Sequence, residues 1–348
     1  MKMEIHSKII RQGMLSSASA ARSVAAQQPS YWRGAAEAHR ERILSLIGGP
    51  PQDVDLRHPV LNFLFTYYKF DVRALLKWSP GMDVVLSGVG VAESDLWTGR
   101  GWRVSTNGGS GFMDPTLCKP SLRRSARRAA DVMRRTAGRT PHLNCYGLHE
   151  WAMLYRPAGA PQPCRHQDLP LRLSQQALNQ VVESVPIACT HFDAFRFFTP
   201  GAVPLNTVAP EPTRANQPQM EQPGCVHASM DCFRYAIKLW PWIPAELLAD
   251  SLEVALKARV LDMRASPYDL SAWDRLDGLD LSPVLIETAD GRRQYQREQA
   301  WQATCAAPVR ARILREYERA IVAWDSEEAS DSSQTHALGD PARRRGAA

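Results

Sequence analysis

The chain has 348 residues, 44% of them apolar and 22% charged, which is enough for a substantial buried core. No apolar run approaches the ~20 residues that a membrane-spanning helix needs, and the N-terminus lacks the apolar centre of a secretory signal. The net charge is +6, and the seven cysteines form no CxxC pair, which argues against a zinc ribbon or a disulfide framework. We therefore expect a cytoplasmic protein with reduced thiols and no membrane association.

The first third of the chain predicts a leader, two helices and two strands. Residues 1–30 predict a disordered or weakly helical leader, although their positive charge and small residues also resemble an organelle transit peptide. An amphipathic helix over 30–48 ends at a glycine pair, and a helix that is apolar almost all round begins near Pro59. Residues 83–90 and 101–109 predict short strands.

The segment 119–139 is rich in arginine. It holds eight basic residues against one acid, so it accounts for the whole positive excess. Basic residues four positions apart predict a helix that stacks them on one face. Such a face suits a phosphate backbone, but a solvated surface or an arginine–carboxylate network explains the same pattern. The candidate DNA-backbone contacts are Lys119, Arg123, Arg124, Arg127, Arg128, Arg134 and Arg135.

The remaining elements complete the predicted architecture. A helix leads into a buried stretch at 187–199, which we interpret as a strand, and an irregular loop follows at 200–224. Helices over 226–265, a strand at 284–287 and a terminal helix over 293–325 come next. These elements predict a helix-rich α+β fold, with one large mixed domain at 31–322, a disordered leader at 1–30 and a disordered tail at 323–348.

Ionisable residues recur within apolar stretches of sequence in the middle of the chain. If 187–199 is a strand, His191 and Asp193 share one face and Arg196 lies on the other. If the chain beyond 225 is helical, His227 and Asp231 share a face. A buried charge costs several kcal/mol unless it is paired, so these groups either form internal ion pairs or line a cleft.

Three functional classes fit these residues. A metal-dependent hydrolase or oxygenase would use His191 with Asp193 and His227 with Asp231 as ligands for zinc or iron. A metal-free pocket would use a buried carboxylate to orient water and to stabilise a positive sugar. The third class is a DNA-binding protein without catalytic activity.

Aromatic residues near the carboxylates favour the metal-free pocket. An enzyme that acts on a base extrudes it from the stack and holds it among aromatic side chains, which suggests a DNA glycosylase. We expect Asp193 to position the water, with Glu150 and then Asp231 as further catalytic candidates and His191 assisting. The base-pocket candidates are His149, His227, Asn144, Tyr146, Trp151, Phe192, Phe195, Tyr68, Asn206, Asp262 and Arg264.

The same reasoning predicts a simple reaction without a covalent intermediate. Lys69 and Lys238 lie in no predicted pocket, so we expect no Schiff base and a monofunctional enzyme. We expect no cofactor and no metal. The predicted partner is double-stranded DNA that carries modified bases, bound by a monomer.

Six stretches resemble a bacterial family labelled 3-methyladenine DNA glycosylase, over roughly residues 31 to 320. They are HPVLNFLFTYYKF, GLHEWAMLYR, RHQDLPLRL, CTHFDAFRFFT, EQPGCVHASMD and LDMRASPYDL. Within that family the chain is similar to the phage-defence type, which removes glucosylated 5-hydroxymethylcytosine from phage DNA. The resemblance implies hydrolysis of the N-glycosidic bond of that base, or of an alkylated base, to leave an abasic site.

Overall fold

The computed structural model describes residues 26–89, 101–104, 109–160, 169–273 and 279–338, with side chains described as far as residue 329. Its helices are α1 Pro29–Ile47, α2 Pro59–Leu61, α3 Pro120–Ala137, α4 Leu148–Ala152, α5 Gln175–Ser184, α6 Phe192–Phe195, α7 Gln217–Met220, α8 Val226–Leu239, α9 Ala245–Ala265 and α10 Ala289–Leu338. A π-helical segment, Asn62–Tyr67, continues α2, and 3-10 turns occupy Val72–Leu76, Pro115–Leu117, Val203–Leu205 and Ser271–Trp273. The strands are β1 Val85–Ser87, β2 Trp102–Val104 and β3 Ser110–Met113.

Helix α9 lies at the centre of the molecule, where it packs against α1, α8 and α10. Its buried residues lie on every side of the helix, as expected for a helix enclosed by other elements. Two of them, Arg259 and Asp262, are charged and nearly or fully inaccessible to solvent. The core therefore contains ionic groups that need internal partners.

Helix α10 closes the side of the core formed by α3, α8 and α9. Trp324 near its end is fully buried and donates Nε1–H to the Pro115 carbonyl oxygen at 2.7 Å. The helix extends beyond the predicted 293–325 in both directions, so residues 323–338 of the predicted tail are helical. Residues 1–25 of the predicted leader and 339–348 of the tail lie outside the described residues.

The small sheet is antiparallel, with β3 between β1 and β2. The sequence predicts β1 and β2 but not the central strand. Gly111 on β3 lies under the Trp102 ring, and a Cβ there would come within 2.4 Å of that ring. A glycine is required at this close approach.

Most of the predicted architecture is confirmed. The described chain is a single compact, helix-rich body with one small sheet, as an α+β fold requires. Helix α1 ends at Ile47 and is followed by Gly48, which has φ +80°, as the glycine pair predicts.

The prediction of a strand at 284–287 is wrong. The Val284 amide donates to the Arg264 carbonyl at the end of α9, and no strand in the described ranges pairs with this segment. No helix in the described part of the chain has both the length and the apolarity to cross a bilayer.

Candidate active site

Two neighbouring helices each carry an aspartate and an arginine three residues apart. Asp231 and Arg234 lie on α8, and Arg259 and Asp262 lie on α9. Residues three apart share one side of a helix, so each arginine donates to the aspartate of its own helix. The helices thereby introduce two charged centres into the core.

The first centre, which we call the Arg259 group, consists of His149, Glu150, Arg259 and Asp262. Arg259 Nη1 donates to Glu150 Oε1 at 2.7 Å and also to Asp262 Oδ2. Asp262 Oδ1 lies 2.7 Å from His149 Nε2. The guanidinium carbon of Arg259 lies 4.7 Å from the centre of the Phe63 ring. Two carboxylates therefore share one guanidinium, and the imidazole lies beside them.

A tight turn brings α4 against the end of α9. Tyr146 and Gly147 have φ angles of +51° and +73°. A Cβ on Gly147 would approach Ala265 Cβ to 3.0 Å, so a larger residue would be crowded as well as strained. The turn places His149 and Glu150 beside α9.

The second centre, which we call the Arg234 group, consists of His191, Asp193, Glu221, Asp231 and Arg234. Arg234 donates to Asp231 and to Asp193 of α6. His191 Nε2 lies 3.2 Å from Asp231 Oδ2 and 3.3 Å from Glu221 Oε1. The group joins α6, α8 and the loop before α8, and its three carboxylates outnumber its one guanidinium.

His227 lies between the two groups. Its ring centre is 4.6 Å from that of His149 and 5.0 Å from that of His191. Burial lowers the pKa of His227 well below its ordinary value, and the neighbouring His149 lowers it further. His227 is therefore neutral, and its buried Nδ1 has no hydrogen-bond partner among the described residues.

Charge interactions set the protonation of the Arg259 group. Burial alone would lower the pKa of His149, but the Asp262 carboxylate outweighs burial and raises that pKa well above its ordinary value. Burial would raise the pKa of Asp262, yet His149 and Arg259 hold it below its ordinary value. A protonated His149 and Arg259 then balance the two carboxylates.

The Arg234 group is balanced differently. Burial raises the pKa of Glu221, although His191 opposes the rise. Burial would lower the pKa of His191, but Glu221 and Asp231 raise it. Burial would raise the pKa of Asp231, but Arg234 and His191 keep it below its ordinary value. A proton shared by His191 and Glu221 therefore relieves part of the excess negative charge of the group.

The raised pKa of His149 predicts that alkaline pH destabilises the protein. Stability from a group whose pKa rises on folding is fully present below the ordinary value of 6.5 and is lost as the pH rises through the folded-state value. Urea unfolding measured from pH 6.5 upward should show falling stability in the wild type and a smaller fall in His149→Gln. Equal falls in the two proteins would contradict this assignment.

An open pocket of about 820 Å³ lies beside the Arg234 group. Tyr67, Tyr68 and Phe70 line it, together with five cationic side chains and one acid, Asp193. The cations are Lys69, Arg196, Arg214, Arg234 and Lys238. The Tyr68 hydroxyl donates to Asp231 Oδ1 at 3.0 Å, so this side chain separates the pocket from the buried charges.

The π-helical segment after α2 positions the aromatic wall of this pocket. Phe63 stacks on Tyr67 with the ring centres 4.9 Å apart. The Tyr67 hydroxyl accepts a hydrogen bond from Arg196 Nη2 at 2.6 Å. The segment is followed by Lys69, whose φ of +55° turns the chain away. π-Helical turns are frequent at functional sites.

The interpretation of 187–199 as a strand is wrong. His191 has extended backbone and precedes α6, a four-residue helix. Asp193 and Arg196 therefore lie three residues apart on a helical turn, with Arg196 Nε 3.3 Å from Asp193 Oδ1, rather than on opposite faces. His191 contacts Asp231 in the interior, whereas Asp193 lines the pocket.

The structure also regroups the predicted metal ligands. His191 lies with Glu221 and Asp231 rather than with Asp193, and His227 lies with His149 and Asp262 rather than with Asp231. In each set the potential ligand atoms all lie within 4.8 Å of one another. The helical turn at α6 explains the first change, because it turns Asp193 away from His191.

Several predicted base-pocket residues have structural contacts elsewhere. Trp151 is fully buried and donates Nε1–H to the Ala265 carbonyl at 2.8 Å. Asn206 bonds the backbone amide and carbonyl of Cys189 at 2.8 and 3.1 Å. Arg264 pairs with a carboxylate of α10 at 2.8 Å. Phe195, Tyr146, Phe192 and Asn144 also lie outside the described lining of the pocket.

The predicted arginine face exists on α3, but much of it faces acids of α10. Arg123 pairs with Glu327 at 2.6 Å and Arg134 with Glu318 at 2.9 Å. Arg127 pairs with Asp325, Arg135 with Asp131, and Arg128 donates to the carbonyl of Arg214. Lys119 and Arg124 have no carboxylate partner among the described side chains. The arginine–carboxylate network is therefore present, and the phosphate contacts stay a prediction.

Sequence reasoning missed Arg234, Arg259 and Glu221. Arg234 and Arg259 could have been identified from the sequence, because each lies three residues from an aspartate in an otherwise apolar predicted helix. No sequence pattern identifies Glu221, since its contact with His191 joins segments that are distant in the sequence. A charged pair inside an apolar helix should accordingly be treated as part of a buried network.

Comparisons of the chain with protein-family profiles, with curated proteins and with solved structures found no match.

Proposed function

We propose that the protein is a monofunctional DNA glycosylase, which hydrolyses the N-glycosidic bond of a modified base and leaves an abasic site. The pocket carries the proposal, because five cations and three aromatic rings surround one carboxylate there. The proposed setting is the cytoplasm, where a monomer acts on double-stranded DNA.

The cations of the pocket suit a DNA backbone. Lys69 and Arg214 are exposed and have no carboxylate partner among the described residues, so both are available for phosphates. Arg196 and Arg234 hold Asp193 and give the inner part of the pocket a positive field. A polyanion is therefore attracted to the opening while the carboxylate stays in place.

Removing Lys69 or Arg214, two of the exposed cations, should weaken DNA binding in a salt-dependent manner. Lys69→Ala and Arg214→Ala should each reduce the slope of log K against log salt by about 1, because each removes one phosphate contact. Binding titrations at several salt concentrations measure this slope. Arg293→Ala is the control, since Arg293 already pairs with Asp290, lies outside the described lining of the pocket and should change the slope less. Unchanged slopes for both pocket variants would contradict DNA binding at the pocket.

The aromatic wall suits a base removed from the duplex. Stacking of a base on an aromatic side chain contributes about 1–3 kcal/mol, which offsets part of the cost of unstacking it. Tyr67 is the better stacking surface, because its hydroxyl bonds the exposed Arg196, whereas that of Tyr68 bonds the buried Asp231. A base held there would place its sugar toward the single acid of the pocket.

Asp193 is the proposed catalytic carboxylate. It lines the pocket, whereas Asp231 and Glu150 are 2% and 5% exposed and are held by Arg234 and Arg259. As the bond to the base breaks, the electron pair leaves with the base and the sugar becomes positive. The carboxylate stabilises that charge and orients the water that adds to the sugar carbon.

Two modified bases are consistent with the proposal. The resemblance over residues 31 to 320 suggests glucosylated 5-hydroxymethylcytosine or an alkylated base. A pocket of about 820 Å³ falls in the range that holds drug-sized ligands, which suits a base with an attached sugar. The glucosylated base is thus the preferred candidate.

Lys69 and Lys238 both line the pocket, contrary to our expectation, so the absence of a Schiff base requires a direct test. Burial lowers the pKa of Lys238, and Arg234 lowers it further, which favours the neutral amine that a Schiff base requires. Lys238 is nevertheless solvent-exposed overall, so desolvation of its amine is incomplete. We keep the monofunctional reaction as the proposal. Borohydride should trap no covalent complex with DNA, and a trapped complex would contradict it.

A panel of otherwise identical duplexes tests the proposed activity. Each duplex carries cytosine, 5-hydroxymethylcytosine, its glucosylated form or an alkylated adenine. After incubation and alkaline treatment, the strand that carries the preferred glucosylated base should break at the modified position, and mass spectrometry should detect the released base. Tight binding to every duplex without base release would instead support a non-catalytic DNA-binding protein.

A further inference from the structure

Three buried side chains of the Arg234 group have the arrangement of metal ligands. His191, Glu221 and Asp231 come from the residue before α6, the loop before α8 and α8 itself. Each is at most 2% exposed. We infer that they bind one divalent transition-metal ion, through a ligand set that differs from the one considered from the sequence because it includes Glu221 and not Asp193.

The spacing of the ligand atoms fits tetrahedral coordination. His191 Nε2 lies 3.2 Å from Asp231 Oδ2 and 3.3 Å from Glu221 Oε1. Zinc–ligand bonds of about 2.0–2.1 Å give a tetrahedron with edges of about 3.3–3.4 Å. Both distances from His191 therefore agree with such an edge to about 0.1 Å, and all three ligand atoms lie within 4.8 Å of one another.

The charge of the group supports a divalent ion. Asp193, Glu221 and Asp231 carry three negative charges against one positive charge on Arg234. With a neutral imidazole the group has a charge of −2, which one divalent ion neutralises. Arg196 reaches Asp193 from the solvent side, with 41% of its side chain exposed, so it offsets the interior charge only weakly.

The donor set indicates which ions fit. One imidazole and two carboxylates suit zinc, iron, manganese or cobalt, whereas magnesium and calcium prefer oxygen alone. Three protein ligands leave the fourth position for water. The buried Nδ1 of neighbouring His227 has no partner among the described residues and is available to accept a hydrogen bond from such a water.

The ion would have a positioning role. It would link α8 to the loop that carries Glu221 and to the turn that carries His191, which leads directly into Asp193. Tyr68 and Arg234 lie between this site and the pocket. The ion therefore fixes the segment that bears the pocket carboxylate without contacting the DNA.

Metal binding by the full-length protein tests the inference. Protein freed of metal by chelation is titrated with Zn²⁺ by calorimetry and with Co²⁺ by visible absorption, which is intense in a tetrahedral site. The wild type should bind one ion per chain. Glu221→Gln should weaken binding at least about 100-fold, since loss of a direct ligand should cost no less than loss of a supporting group. This variant should fold, because it removes an uncompensated negative charge.

Matched variants locate the ion. Glu150→Gln changes another buried carboxylate outside the three ligands and should bind Zn²⁺ like the wild type. Asp262→Asn should also retain binding. Weakening by Asp262→Asn but not by Glu221→Gln would move the ion to the His149, His227 and Asp262 set and overturn the inference. A wild type that binds neither Zn²⁺ nor Co²⁺ would overturn it too, whatever the outcome for base release.

Discussion

Replacing Arg259 with methionine should destabilise the protein by about 3–5 kcal/mol, the largest effect on stability that we expect from one substitution. Arg259 is 1% exposed and donates to both Glu150 and Asp262. Its removal leaves two buried carboxylates with only His149 beside them. Urea unfolding of the two proteins at neutral pH measures the difference in the free energy of unfolding.

Two further variants establish that the loss comes from unpaired buried charge. Arg127→Ala breaks the exposed pair with Asp325 and should cost less than about 1 kcal/mol. Adding Glu150→Gln and Asp262→Asn to Arg259→Met should restore part of the lost stability, because the side chains left without the guanidinium are then neutral rather than charged. A cost below about 1 kcal/mol for Arg259→Met alone would contradict the ionic account of this core.

Replacing Asp193 with asparagine should slow base release by about 100- to 10,000-fold, the largest effect on activity that we expect. The substitution keeps the size of the side chain and removes the charge that stabilises the positive sugar. Single-turnover rates on the duplex with the preferred base measure the effect. Base release at the wild-type rate would contradict the catalytic role of Asp193.

The structure allows the Asp193 variant to be interpreted without a folding defect. Asp193 has 12% of its side chain exposed, and Arg234 keeps Asp231 as a partner after the substitution. Circular dichroism and DNA affinity should be close to those of the wild type. Glu211→Gln removes an exposed carboxylate from the loop before α7 and is the matched control for activity.

Local signals in the sequence predicted much of the fold. The glycine pair after Ile47 predicted the end of α1, and arginines four residues apart predicted α3. The central strand β3 was missed because Ser110–Met113 follows two glycines and contains a third, a composition typical of a turn. Residues 187–199 were misjudged because a short apolar run does not distinguish a strand from a helical turn.

The candidate site was only partly predictable. Four ionisable residues in apolar stretches of sequence were identified as candidates, and all of them lie in or beside the buried groups: His191, His227, Asp231 and Asp262. Their partners did not follow from the sequence. Glu150 and Arg259, for example, are 109 residues apart, and only the packing of α4 on α9 brings them together.

The central claim is that the pocket holds the base that is removed. A crystal structure of the protein with a duplex in which the modified nucleotide carries a 2′-fluoro group tests it most directly, because fluorine disfavours the positive sugar and slows cleavage. The account predicts the base extruded against Tyr67, with Asp193 beside the sugar and Lys69 and Arg214 near phosphates. A base still stacked in the duplex, or one bound at a surface without these residues, would contradict it.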